Sequence, residues 1–231
     1  MASQARDSIP VPQVPINEKY KSLFGFINAF VRNYMSKYDN SHDYNHILRV
    51  VSNANRILQA ELARDPSLTY DTTALFLAAL LHDVGDHKYV QPGQESDSTI
   101  LDILVDHGSG WELGVIVQKI VDNVSYSHEI RDPAATAKAL AAHPELAIVQ
   151  DADRLDAIGA VGIGRCFSFG AAKMPDQPMD RAIEHFGEKL FKLEDMMKTE
   201  TGKEMARKRT KVLEEFAKQW ENEAKLSFEV L

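Results

Sequence analysis

Residues 75–81 read Leu-Phe-Leu-Ala-Ala-Leu-Leu, and the next two are His82 and Asp83. Apolar residues in unbroken succession leave a helix no polar face, so a helix here must be buried on every side. Asp71, Thr72 and Thr73 supply N-cap chemistry ahead of it, and Gly85 marks its end. The pattern predicts a helix over 72–84. Leu75, Ala79 and His82 share one stripe of that helix, and Phe76, Leu80 and Asp83 share the stripe beside it. An imidazole and a carboxylate are thereby carried into the interior at the tip of an apolar rod. A buried carboxylate is costly unless a cation or hydrogen-bond donors compensate it. A divalent metal would answer both side chains together. The plainer alternative is a His-Asp pair that caps the helix, its imidazolium facing the negative end of the helix dipole.

Composition narrows the setting. The chain has 231 residues, 44% of them hydrophobic and 26% charged, enough for one globular domain with a sizeable core. No apolar run approaches the roughly 20 residues that a membrane span needs, and residues 1–13 lack the apolar segment of a secretory signal. The single cysteine, Cys166, argues against an intrachain disulfide framework and a thiolate metal cluster. A reducing cytoplasmic compartment is expected, with the nucleus as the alternative. The net charge of -8 argues against a face that tracks a phosphate backbone. Neither a membrane nor a nucleic-acid polymer is therefore an expected partner. A small phosphorylated ligand held by a few local cations remains compatible with that charge.

Along the chain, residues 1–16 carry prolines and few large apolar side chains, and are expected to form a flexible tail. Leu23, Ile27, Phe30, Val31 and Tyr34 recur at helical spacing and predict a helix over about 17–38. Asp39-Asn40-Ser41 is turn chemistry, and a second helix follows over about 43–63, stopped by Asp65-Pro66. Beyond a loop at 85–95, helices are expected at 96–107 and 111–124, irregular chain at 125–133, and a further helix at 134–142. Pro144 suits the first position of a helix predicted to continue to about 169 across Gly159, Gly162 and Gly164. Two helices, at 180–199 and 201–226, complete the chain. No segment shows the alternation of a half-buried strand. The expected fold is all-α, one domain over 17–231 with roughly eight to ten helices.

A metal needs ligands from more than one element. His46 shares a stripe with Val50, Asn53 and Ile57, and Asp151 is flanked by Ile148, Leu155 and Ile158 at helical spacing. A lone His in that setting also reads as a satisfied core histidine, whereas Asp is almost never buried without a partner. Asp153 and Asp156 fall on other faces and read as salt-bridge partners of Arg154. His46, His82, Asp83 and Asp151 together give nitrogen and oxygen ligands on three core helices. Such a set suits manganese first, with magnesium, iron, nickel or cobalt as alternatives, and leaves no basis for a thiolate zinc site. Asp86 stands where it could orient or deprotonate a water. Arg49, Lys88 and Arg154 are the expected phosphate contacts, though each also reads as an ordinary surface charge.

The segments His42-Asp43-Tyr44-Asn45-His46, His82-Asp83-Val84-Gly85-Asp86-His87-Lys88 and Asp151-Ala152-Asp153-Arg154-Leu155-Asp156 together resemble the H…HD…D signature of the HD superfamily of metal-dependent phosphohydrolases. The likeness is strongest to the small stand-alone bacterial and fungal members, through His185-Phe186-Gly187-Glu188-Lys189-Leu190 and Thr201-Gly202-Lys203 as well. The resemblance implies that His46, His82, Asp83 and Asp151 hold one divalent metal, with His42 supporting them from behind. Asp86 and Lys88 match a DxK element that lies at the active site in relatives. No GYP element follows the His-Asp pair, which argues against cyclic-dinucleotide turnover. His107 and His128 are the candidates for a second metal. The implied activity is hydrolysis of a phosphate ester or anhydride in a nucleotide or similar small metabolite, including cleavage of a nucleoside triphosphate to monophosphate and pyrophosphate. The alternatives are a metal-bound nucleotide-sensing module with little catalysis, or a metal that only pins helices together. The oligomeric state is left open.

Overall fold

The helix at the centre has no solvent-facing side. In the computed structural model, which describes residues 10–85 and 99–228, α3 (Thr72–Leu81) buries every residue from Thr73 to Leu81. The Asp71 carboxylate caps it by accepting from the amides of Thr73 and Ala74. The helix closes at Leu81 rather than 84, because His82 is its C-cap and the chain turns through Gly85, whose φ of 80° lies in the left-handed region.

Two longer helices flank α3. α2 (Tyr44–Arg64) packs most extensively against α8 (Glu145–Asp156), and both lie on α3. Ile47, Val50, Ala54 and Ile57 on α2 are fully buried, as are Ile148, Val149, Ala152 and Leu155 on α8. α1 (Lys21–Met35) and α5 (Trp111–Asp122) cover other sides of α3, and α4 (Ile100–Asp106) pairs with α5. α6 (Tyr126–Arg131) and α7 (Pro133–Ala142) lead into α8. α9 (Gly159–Lys173), α10 (Asp180–Glu188) and a 3₁₀ turn (Leu190–Met196) lead to α11 (Glu200–Ala224), which packs over α2, α8 and α9. Among the described residues the fold is all-α, with eleven α-helices and no strand, and no single helix is long and apolar enough to cross a membrane.

The structure differs from the sequence reading at four further places. The helix expected over 144–169 is two helices, meeting at a 69° bend between Asp156 and Gly159. Gly159 has a φ of 75°, and a Cβ there would stand 3.0 Å from Arg209 Cγ. Arg209 uses that space to donate to the carbonyl of Leu155, in the last turn of α8, and to Asn53 Oδ1. Residues 126–131, expected to be irregular, form α6. The segment 180–199 is broken into α10 and the 3₁₀ turn. Residues 10–16, expected to belong to a free tail, lie against the domain: Asn28 Nδ2 donates to the carbonyl of Pro10 at 3.1 Å, and Val14 and Ile16 pack on the core. Residues 1–9 lie outside the described residues.

The N-terminus of α11 is held by two carboxylates from other helices. Asp151 on α8 accepts from the amides of Lys198 and Thr199, both at 2.8 Å, and from the Thr199 hydroxyl at 2.7 Å. Glu61 on α2 accepts from the amide of Thr201 at 2.9 Å and from its hydroxyl. Helix N-termini present free amides and a positive dipole end, which is what two buried carboxylates require. Gly202 keeps the space open, for a Cβ there would overlap the Asp151 carboxylate. Alanine is ordinarily better than glycine inside a helix by about 1 kcal/mol, but overpacking against a buried, fully bonded carboxylate costs about 1–3 kcal/mol. Gly202→Ala is therefore expected to lower the urea midpoint of unfolding, not raise it.

Candidate metal centre

Three helix ends bring the polar groups together. Asp43 caps α2 by accepting from the amide of His46, which sets His46 in the first turn. His82 and Asp83 follow directly from the end of α3. Asp153 and Asp156 occupy the last turn of α8. His46 Nε2 lies 3.2 Å from His82 Nε2 and 3.2 Å from Asp83 Oδ2, and Asp83 Oδ1 lies 3.5 Å from His82 Nε2. Asp153 Oδ1 approaches the same two nitrogens, at 3.6 Å from His46 and 3.7 Å from His82. The C-terminal ends of α3 and α8 both direct their negative dipole ends toward this cluster, which favours a cation there.

The second nitrogen of each imidazole defines the first. His82 Nδ1 is 3.0 Å from the carbonyl of Ala79, which can only accept, so Nδ1 carries the hydrogen. His46 Nδ1 is 2.7 Å from Asp156 Oδ2, and a carboxylate likewise accepts. With Nδ1 as the donor on both rings, the two Nε2 atoms face each other across 3.2 Å, each offering a lone pair whenever its ring is neutral. Asp83 Oδ2 adds its own negative charge at this point, buried and without a well-aligned hydrogen bond among the described residues. Lone pairs and a carboxylate facing one another repel unless a proton or a metal ion lies between them. This donor set, two imidazole nitrogens and carboxylate oxygens with no thiolate, fits a divalent metal. The one cysteine, Cys166, is directed instead toward the carbonyl of Ala182.

The charges agree with that picture. Burial and the Arg165 guanidinium push the His46 pKa down, but the Asp156 and Asp83 carboxylates outweigh them and leave it raised, so without an ion a proton is favoured where a metal would supply the positive charge. Burial pushes Asp83 up, yet the neighbouring His82 and His46 hold its carboxyl far below the ordinary range. His42 sits edge-on to His46, with ring centroids 5.9 Å apart and Nδ1 2.7 Å from Ser41 Oγ. Burial, with Arg165 nearby, lowers its pKa to about 4, so it is a neutral ring behind the ligand group.

The other expected residues divide into those the structure brings here and those it does not. Asp151 is buried, as its apolar stripe requires, but both of its oxygens are taken by the N-terminus of α11; this corrects its assignment as a ligand. Burial pushes its pKa up against those hydrogen bonds. The carboxylate facing the imidazoles is Asp153, two residues on, which the sequence reading left as a salt bridge. Asp156 was missed in the same way. The signal lay in pairing helices: His46 and Arg49 are spaced i, i+3 on α2, and Asp153 and Asp156 are spaced i, i+3 on α8, the helix packed against it.

Arg154 is buried and not presented to a ligand, which corrects its assignment as a substrate contact. It donates to Glu129 Oε2 at 2.6 Å and to the carbonyl of Met196 at 2.9 Å. Arg49 is engaged through two hydrogen bonds with Asp156, at 2.8 and 3.0 Å. Asp86 and Lys88 lie outside the described residues. His107 is exposed, donates to the carbonyl of Ile103 and stacks on Phe26. His128 lies on α6 beside Arg131. Neither joins His46, His82 and Asp83, the ligand group found among the described residues.

Comparison with known proteins places the segment that carries this cluster in a family. The HD domain family matches residues 43–158, which run from the cap of α2 through the last turn of α8. The chain belongs to the HD-domain family, and its fold is that of the HD-superfamily hydrolases. Among relatives, the uncharacterized protein YpgQ of Bacillus subtilis strain 168 is 37% identical over 199 residues, 85% of this chain and 91% of its own. The crystal structure of Bacillus subtilis YpgQ in complex with ADP matches with a TM-score of 0.66 and 33% identity, covering 86% of this chain and 93% of that one. An HD-superfamily hydrolase from Bacillus thuringiensis matches with a TM-score of 0.60 and 30% identity, covering 86% and 94%.

The Arg154 contact gives a pH signature separate from the metal centre. Glu129 is the hub of a network joining α6, α8 and the chain before α11: it accepts from Arg154, from Lys198 Nζ at 2.6 Å and from Gln150 Nε2 at 3.3 Å. Burial pushes its pKa up, but hydrogen bonds to Lys198 and Arg154 outweigh this and leave it below the ordinary 4.5. A carboxylate with a depressed folded-state pKa stabilises the fold above its unfolded value and loses that contribution as pH falls. Glu129→Gln is expected to be less stable than the parent near neutrality. The gap should narrow as the pH is lowered from about 5, as measured by urea unfolding across that range.

Proposed function

We propose that this protein is a metal-dependent phosphohydrolase that acts on a nucleotide or similar small phosphorylated metabolite. The observation carrying the proposal is the pair of Nε2 atoms of His46 and His82, 3.2 Å apart and beside Asp83 Oδ2, which has no well-aligned hydrogen bond among the described residues. His46, His82, Asp83 and Asp153 would hold one divalent ion, manganese first among the candidates, and Asp151 has no part in binding it. A divalent ion in such a site supplies Lewis acidity toward a phosphoryl oxygen and makes a nucleophile of water at neutral pH. The chain's own contribution is to orient two imidazoles, each through a hydrogen bond at Nδ1, and to keep Asp83 ionised. His42 contributes a neutral ring that adds no competing charge. Asp86 and Lys88 remain the proposed groups for handling the water proton and contacting phosphate. The nucleotide class is supported by the ADP complex of Bacillus subtilis YpgQ, one third identical to this chain. Within that class, cleavage of a triphosphate to monophosphate and pyrophosphate is the first reaction to test.

The test is to strip the protein of metal, restore manganese, magnesium, cobalt or nickel in turn, and assay nucleoside mono-, di- and triphosphates for released phosphate and pyrophosphate. Activity is expected with at least one ion. Asp83→Ala and Asp153→Ala should abolish both metal retention and turnover while keeping the helical circular-dichroism signal. Asp151→Ala should instead lower stability, by about 1–3 kcal/mol for the amides left unsatisfied, and should retain metal. Tight metal and nucleotide binding without release of either product would replace the hydrolase with a nucleotide sensor. Loss of metal in Asp151→Ala but not in Asp153→Ala would return the ligand role to Asp151.

A further inference from the structure

One carboxylate beside the metal centre is buried, ionised and aimed away from the cluster. Asp156 is 1% exposed, and its carboxylate is met by an imidazole and two guanidiniums. Oδ2 accepts from His46 Nδ1 at 2.7 Å and Arg49 Nη2 at 3.0 Å, and stands 3.1 Å from Arg165 Nη1. Oδ1 accepts from Arg49 Nε at 2.8 Å. Arg165 also reaches the carbonyl of Ser41, whose hydroxyl contacts His42 Nδ1, so the same guanidinium ties α9 to the turn that launches α2. The remaining acceptor capacity of Asp156 goes to a single ring nitrogen.

From this arrangement we infer that Asp156, clamped by Arg49 and Arg165, is the positioning residue that fixes the tautomer of His46. The inference rests on the metal reading of His46, but its physical content lies in this chain alone. With the carboxylate present, the neutral ring carries its hydrogen on Nδ1 and presents the Nε2 lone pair to His82 and Asp83. Without it, Nδ1 loses the acceptor that holds its hydrogen, and the hydrogen is free to move to Nε2, where Asp83 can accept it; that turns the ligand atom into a donor aimed at the metal position. Arg49 and Arg165 hold Asp156 where it can prevent this. Carboxylates that orient a ligating imidazole typically alter metal affinity 10–100-fold when removed.

The experiment reads the tautomer directly, by ¹⁵N–¹H long-range NMR of histidine-labelled, metal-free protein at mildly alkaline pH, with His46 assigned from the signal lost in His46→Gln. The Nδ1–H form is expected in the parent, and finding the Nε2–H form there would overturn the inference without any variant. Asp156→Ala should shift His46 toward Nε2–H and weaken manganese binding in calorimetry by 10–100-fold. An unchanged tautomer with affinity within about twofold of the parent would sink the proposal. Should that variant lose its helical signal, Arg49→Met decides. A several-fold weaker manganese affinity in a folded protein supports the clamp, and unchanged affinity overturns it. If the parent binds no metal at all, the hydrolase reading fails, while the tautomer measurement still judges Asp156 on its own.

Discussion

A carboxylate can be buried only where something answers its charge, and the contrast among Asp151, Glu61, Asp156 and the largely buried Asp83 turns on this. Asp151 and Glu61 are answered by the amides and hydroxyls at the start of α11. Asp156 is answered by Arg49, Arg165 and His46. Asp83 is the exception: its neighbours are the Nε2 atoms of two imidazoles, and one oxygen has no well-aligned donor among the described residues. The three satisfied carboxylates position the helices. The incompletely satisfied one marks where a ligand belongs. Since leaving a buried charge unanswered costs more than most single interactions contribute, the difference between Asp83 and the other three is the strongest functional statement the structure makes.

The same contrast explains how far the sequence could be read. The apolar run at 75–81 requires a buried helix, and the His-Asp pair at its end can be located from spacing alone. His46 follows from its apolar stripe. Asp151 shows where stripe arguments stop. Helical periodicity reports that a carboxylate is buried, and it was right that Asp151 is; it does not report what the carboxylate faces. That depends on a helix beginning near residue 200, nearly fifty positions away. Asp153, by contrast, is partly exposed and sits on the edge of α8, so an argument built on burial passes over it.

The division of the 144–169 segment has a similar cause. The expected helix runs unbroken across Gly159, Gly162 and Gly164, and Gly162 does permit a close approach, since a Cβ there would overlap the Ala157 carbonyl. Only Gly159 takes a left-handed φ, and the reason is an arginine from α11 that must reach the last carbonyls of α8. The segment 10–16 was read as tail from its prolines, yet Pro10 accepts a hydrogen bond from buried Asn28 and Ile16 reaches the core. In each case the deciding partner is remote in the chain, and local pattern carries no record of it.

The anchoring of α11 bears on when the centre takes shape during synthesis. Every proposed ligand lies between residues 46 and 153, yet α8, which bears one of them, is seated through Asp151 and Arg209 on a helix that begins at Glu200. A nascent chain emerging from the ribosome would carry a full set of ligands long before it had the brace that aligns them. Premature metal capture by such an intermediate would find imidazoles and carboxylates in the wrong register, and a product truncated before α11 would retain the motif but lack the geometry.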